Sequence, residues 1–403
     1  MDAAFTAAAD AILERAVSGR ANIPGLVAMA SDREGDVYEG AAGVRRLGDP
    51  APMTADSVFA LFSCSKAITG TAVLQLVEQD LVDLDAPARR YAPEIGGLEV
   101  LEGFDDEGEP RLRPPKRDIT TRMLMLHTSG VGYHYFDAGL KRLVVERGLP
   151  DPRLGTRRGL MAPLLFDPGE QWSYGLGIDW CGRVVEGVLG ERLDAVLESR
   201  VLQPLGMADT AFVPTPSMRA RRAAMHQRGR DGALTAIAFE LPEEPEVFMG
   251  GSALFGTAPD YLRFLRMWLN DGAGENGRVL KAETVALAAR DHLGGMKIRR
   301  MESVSRGVTN DAEFFPGQTK SWGLTFMVND AEAPTGRPAG SIGWAGLGNL
   351  YYWIDRQNGV AGFWASQLFP FFDPTALDGF LAFETAFYEA LRRNRPSRNL
   401  API

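Results

Sequence analysis

Cysteine is nearly absent from this chain: 403 residues carry only two. Cys64 and Cys181 cannot form a disulfide framework, so a reducing cytoplasm is the expected setting. Both lie in apolar helical contexts, where cysteine acts as a small hydrophobe. Histidine is scarce too, with four copies. His127, His134, His226 and His292 show no His-x-x-x-His spacing, and no paired cysteines accompany them, so no metal site and no cofactor is expected. No apolar run approaches the roughly 18 residues of a membrane span. The N-terminal "MDAAFTAAADAILERAVSGR" is broken by Asp10, Glu14 and Arg15 and reads as an amphipathic helix, not a signal peptide. Positive charge is short as well: the net charge of −9 argues against nucleic acid as a partner. The basic runs "KIRR" and "RRNRPSR" read as solvated surface.

What remains is ordinary for a soluble globular protein, with 45% hydrophobic and 24% charged residues. "GLVAMASDREGDVYEGAAG" predicts a hairpin about Glu34-Gly35, and Ser57 to Phe62 a short extended run. "EGFDDEGEPRLRPPKRD" reads as a charged, proline-rich surface excursion. Helical patterns follow at 119–127, 138–147, 176–190 and 191–203. Late in the chain come a helix opened by Pro259 and three strand-like runs, "WGLTFMVN", "NLYYWIDR" and "GVAGFWASQ". The last two are joined by an Asn-Gly turn at Asn358-Gly359. A helix from Pro374 to Arg393 ends the pattern. Strands thus sit toward both ends and helices between them. This suggests an α+β fold: residues 1–90 and 245–403 form a discontinuous α/β unit, and 91–244 an inserted, mainly helical lobe. The cleft between them is the expected ligand site.

Three short stretches carry chemistry. In "LFSCSKAITGTAVLQLVEQ", Ser63 and Lys66 stand three residues apart, on one face of a helix that is otherwise apolar there. A desolvated lysine loses its charge near neutral pH and can take a serine proton. The helix N-terminus adds N–H groups suited to an oxyanion. An N-cap serine beside a snorkelling lysine fits the same four residues. Ser65 has Ile68 as its partner at that spacing, which is no base. A Ser-His-Asp triad is the rival arrangement, but no Gly-x-Ser-x-Gly elbow occurs. His127, in "LHTSG", reads as structural; His134 lies in an aromatic cluster that lines either a pocket or the core. In "FDPGEQWSYGLGIDWCG", Tyr174 is a phenolate base with its pKa lowered by a nearby lysine, a proton relay, or a buried tyrosine with one hydrogen bond. Asp179, in an apolar stretch, calls for a hydrogen-bonded partner. In "GSIGWAGLGNLYYW", the glycines at 340, 343, 346 and 348 allow close backbone approach just before a strand, where an edge N–H can complete an oxyanion hole.

Taken in order, "SCSK", "YGL" and "WAG" resemble the motifs of the serine β-lactamase and penicillin-binding superfamily. The class C-like branch called family VIII carboxylesterases is the most similar, through "LMLHTSGVG", "PLGMADTAF" and "GGSALFGTAPDYLRFLRMWLN" as well. The resemblance spans about residues 10 to 390. It implies a β-lactamase/transpeptidase-like fold, an antiparallel sheet flanked by helices. It implies Ser63 as the acylated nucleophile, Lys66 as its base and Tyr174 as proton relay. The backbone N–H groups of Ser63 and Leu347 would form the oxyanion hole. Two departures bear on substrate. Leu176 replaces the asparagine of Tyr-x-Asn, and Trp344-Ala345-Gly346 replaces Lys-[Ser/Thr]-Gly. Losing that lysine removes a carboxylate anchor and favours small neutral esters over β-lactams. Trp344, Gly346, Tyr133, Tyr135, Phe136 and Phe248, with Phe369 and Phe371, are candidate pocket walls, though core packing explains each aromatic singly as well. The expected activity is a carboxylesterase acting on a small-molecule ester. The alternatives are an acyltransferase using the same acyl-enzyme, a weak β-lactamase or D-amino-acid peptidase, and a binding module that has lost catalysis.

Overall fold

The computed structural model describes residues 1–19 and 22–394. The basic run "RRNRPSR" lies largely beyond them. In chain order, the elements that matter here are α1 (Ala3–Val17), β1 (Gly25–Asp32), β2 (Asp36–Gly43), α2 (Ser65–Glu78), α3 (Gly177–Leu189), α4 (Ala258–Leu269), β3 (Lys320–Trp322), β4 (Met327–Asn329), β5 (Ile342–Gly346), β6 (Leu350–Asp355), β7 (Val360–Ser366) and α5 (Pro374–Arg393). The seven strands form one antiparallel sheet in the order β3-β4-β5-β6-β7-β1-β2. The two ends of the chain meet within it, where Leu26 pairs with Ser366 and Asp32 with Val360.

Helices cover both faces, which is why β6 and β7 are apolar without alternation. Tyr352 and Phe363 meet Tyr261 of α4 on one face. Trp353 and Trp364 meet Phe383 of α5 on the other. α1 packs against α5 there, with Phe5 edge-on to Phe387. Local chemistry sets the helix starts. Asp2 caps α1 by accepting the Phe5 N–H at 2.8 Å. Pro374 occupies the first turn of α5 behind its Asp373 cap. Among the described residues no helix is long and apolar enough to cross a membrane.

Two expectations need correction. "WGLTFMVN" is not one strand: Thr325 takes φ +82, and the chain turns back there to pair β3 with β4. The charged 102–118 stretch is more ordered than a plain excursion, since Val100–Phe104 and Pro110–Arg113 pair as a small hairpin. The Trp344-Ala345-Gly346 motif precedes a strand, β6, as expected, and itself lies within another, β5. β5 is internal to the sheet, yet β4 pairs only with its Ile342 and Gly343. The outer edge of Trp344 to Gly346 is thereby left to face the turn that carries Ser63.

Candidate active site

Ser63 sits in a tight helical turn, Phe62–Cys64, that runs directly into α2. Phe62 takes φ +46, a left-handed conformation costly for an aromatic residue, and its ring is clamped by Phe239 and Phe369. Strand β5 lies against this turn. A Cβ on Gly346 would stand 2.5 Å from the Leu61 carbonyl oxygen and 3.2 Å from Cys64 Sγ, so only glycine allows the approach. Beyond Gly346, Leu347 borders the same two pockets as Ser63.

Lys66 is buried, with 1% of its surface exposed. Its Nζ lies 3.2 Å from Ser63 Oγ, 2.9 Å from Tyr133 Oη and 2.8 Å from the Gly251 carbonyl oxygen. Burial lowers its pKa to about 8, while the charge of Asp179 pulls the other way. Asp179 acts one step back: its Oδ1 accepts the Gly251 N–H at 2.8 Å and so fixes the carbonyl that meets Lys66. A Cβ on Gly251 would strike the Asp179 carboxylate at 2.5 Å. Ser65 is occupied elsewhere, accepting the Leu254 N–H at 3.2 Å. Both cysteines are buried free thiols, with burial raising their pKa.

The Tyr174 ring lies 4.9 Å from Lys66 Nζ, and Ser63 is near enough to its hydroxyl to lower its pKa. Burial pushes this phenol up, outweighing the contacts to Ser63 and Trp344 that lower it. It is therefore a neutral phenol near pH 7, suited to relaying a proton and not to acting as a phenolate. Trp344 is more than an apolar wall. Its indole N–H donates to Tyr174 Oη at 2.9 Å. That bond takes a lone pair of the phenol and leaves its O–H directed elsewhere. His127 supports the same loop: its carbonyl accepts the Ser173 N–H at 2.9 Å, and its ring packs 4.7 Å from Tyr174. Its Nδ1 faces the Gly175 N–H at 3.4 Å, and burial holds the imidazole neutral.

The structure thus gathers Ser63, Lys66, Tyr174, Trp344, Gly346 and Leu347, as the sequence suggested. Tyr133, Tyr135 and Phe136 line the pockets around them, as does Phe371. Phe248 does not: it stacks on Phe212 at 4.7 Å and belongs to the core. Phe369 packs under Phe62 instead of lining a pocket. Sequence reasoning placed Tyr133 in the wall, but its hydroxyl is a direct partner of Lys66. The two are 67 residues apart, and no local pattern signals the contact. A larger cavity lies elsewhere, over residues 194–215, and its lining offers no Ser, Cys, Lys or His. Among the described residues no group of three or more His, Cys, Asp or Glu is placed to hold a metal ion.

A profile of the beta-lactamase family matches residues 9–387. The chain is 33% identical over 382 residues to a lovastatin esterase of Penicillium rubens, covering 91% of this chain and 92% of that protein. It is 32% identical over 392 residues to the monacolin J acid methylbutanoyltransferase of Aspergillus terreus, covering 93% of each. Unliganded simvastatin synthase from Aspergillus terreus superposes with a TM-score of 0.82 at 29% identity, over 98% of this chain and all of that one. With its fold and most of its length accounted for, the chain belongs to the beta-lactamase family of serine enzymes.

Proposed function

We propose that this protein forms an acyl-enzyme on Ser63 and acts as a carboxylesterase, transferring the acyl group of a small ester to water. The observation that carries the reading is the set of contacts around Lys66 Nζ. A carbonyl can only accept, so one N–H must point at Gly251. A second points at Tyr133 Oη. In the neutral amine, the lone pair is then left facing Ser63 Oγ, ready to take its proton. Ser63 attacks the ester carbonyl, its proton passes to Lys66, and the backbone N–H groups of Ser63 and Leu347 hold the oxyanion. The C–O bond breaks and the alcohol departs with a proton relayed by Tyr174. Water then repeats the sequence, releasing the acid and restoring the serine.

A second reading shares every step but the last: an acyltransferase would admit an alcohol in place of water. Two observations favour it. Two pockets border Ser63, giving an acceptor somewhere to bind. One similar protein is named an esterase and another a methylbutanoyltransferase. For either outcome the Trp344 side of the site suits an uncharged alcohol.

Fluorophosphonate labelling followed by intact-mass measurement tests the nucleophile. One adduct is expected on the native protein and none on Ser63→Ala; label that persists in the variant removes Ser63 from its role. Turnover of a nitrophenyl ester with and without a competing alcohol then separates the readings. Free acid as the main product in the presence of alcohol supports the esterase, and new ester as the main product the transferase.

A further inference from the structure

The two pockets beside Ser63 differ in chemistry. One is lined by Tyr174, Phe136, Met301, Trp344 and Phe371 and contains no charged side chain. The other has apolar walls from Tyr133, Leu176 and Val308, but His134, Asp151 and Arg153 also line it. An alkyl chain has no use for that trio, and charges set beside an apolar wall are costly unless they meet a partner. Arg153 gives Nε and Nη2 to Asp151, the shortest contact being 2.7 Å, so its head is held in place. Among the described residues nothing accepts from Nη1. Lys141 bears on His134 as a second positive charge, and its ammonium is taken up by the Val304 carbonyl, not by an acid. Arg153 and Lys141 against Asp151 leave an excess of one positive charge. His134 adds an imidazole whose Nδ1 is buried without a partner, and whose Nε2 lies 3.8 Å from Asp151, too far for a hydrogen bond.

We propose that this pocket receives an acyl group whose far end is a carboxylate, recognised by the Arg153 guanidinium that Asp151 holds in place, with His134 beside it. The assignment rests on the acyl-enzyme reading above. There Tyr174 delivers a proton to the departing alcohol, so the pocket Tyr174 lines belongs to the alcohol and the other pocket to the acyl group. The natural substrate class becomes half-esters of dicarboxylic acids with an uncharged alcohol. An anion bound at Arg153 would also favour the charged form of His134, adding a second favourable contact.

The test compares mono-4-nitrophenyl adipate with 4-nitrophenyl hexanoate, which match in length and differ in the terminal carboxylate. In Arg153→Gln the adipate-to-hexanoate ratio of kcat/KM is expected to fall about tenfold, the lower end for losing a charged hydrogen bond at a half-exposed arginine. Hexanoate turnover should change little, and Arg153→Lys should fall between. Added salt should depress adipate turnover more than hexanoate turnover in the native protein. A ratio that does not move in Arg153→Gln, whether both rates hold or both fall, overturns the proposal and leaves the esterase reading standing. A native protein that hydrolyses neither ester loses both.

Discussion

Lys66 is held between opposing demands. Burial strips water from its ammonium and lowers its pKa to about 8, while the Asp179 charge works to keep the proton on. In the proposed mechanism the neutral amine is the base, so kcat/KM for an ester should rise with pH and level off above an inflection near 8. Asp179→Asn keeps an acceptor for the Gly251 N–H but removes the negative charge. Its inflection should therefore move to lower pH, the amine losing its proton more readily. An unmoved inflection in that variant would show that no charge at Asp179 acts on Lys66. Lys66→Ala should lower turnover by roughly 10²–10⁴, the usual worth of a general base, with the circular dichroism spectrum retained. A loss under tenfold would give the base role to another group. At this scale the sequence was legible wherever the chemistry is local: Ser63 and Lys66 meet because a helix brings residues three apart together. The indole N–H of Trp344 on Tyr174 spans 170 residues, and only the assembled sheet supplies it.

Helix α5 and the connection between β4 and β5 are joined by an ion pair sealed in the core. Arg337 Nε lies 2.9 Å from Glu384 Oε1, with side-chain exposures of 2% and 0%. Arg337 also lies over the Phe315 ring, 5.0 Å from its centroid. Burial raises the Glu384 pKa against the pull of Arg337, so the pair gains little over an apolar replacement. Breaking one side is another matter. Glu384→Ala leaves a buried guanidinium alone and should cost about 3–5 kcal/mol of stability. The double variant Arg337→Met with Glu384→Leu should recover most of that loss. Urea denaturation of the three proteins decides it: a double variant no more stable than Glu384→Ala would mean that the packing of these side chains, not the unpaired charge, sets the cost. Elements themselves were readable where caps and turns mark them, as with Asp373-Pro374 opening α5 and Asn358-Gly359 between β6 and β7. The break at Thr325 was not readable, because nothing in "WGLTFMVN" announces a left-handed threonine. The setting that imposes it is tertiary: a Cβ on Gly70 of α2 would lie 2.0 Å from the Thr325 methyl group, so the two segments touch there without room for anything larger.

Across the whole molecule, the turn that carries Ser63 depends on a sheet that neither end of the chain can build alone. β1 and β2 come from the start, β3 to β7 from the last third, and their junction is the β1–β7 pairing. The outer face of that junction is closed by α1 and α5 together. Phe380, Phe383 and Phe387 of α5 surround Trp353, and Phe383 also meets Trp364 and Phe5. Losing one such phenylalanine costs about 3–5 kcal/mol, and a domain holds only about 5–15 kcal/mol in total. A chain ended after Asp373 loses all three at once and exposes the two tryptophans, although no residue beside Ser63 is touched. That truncated protein should lack a near-ultraviolet circular dichroism signal, should bind a hydrophobic dye and should take no fluorophosphonate label. Phe383→Ala is the milder companion, expected to lower stability by about 3–5 kcal/mol while kcat/KM for folded protein stays near native. A truncated chain that stays soluble and labels at Ser63 would show that the site needs only β1 to β7 and the central helices, and that the aromatic layer under α5 is not what holds the two halves of the sheet together.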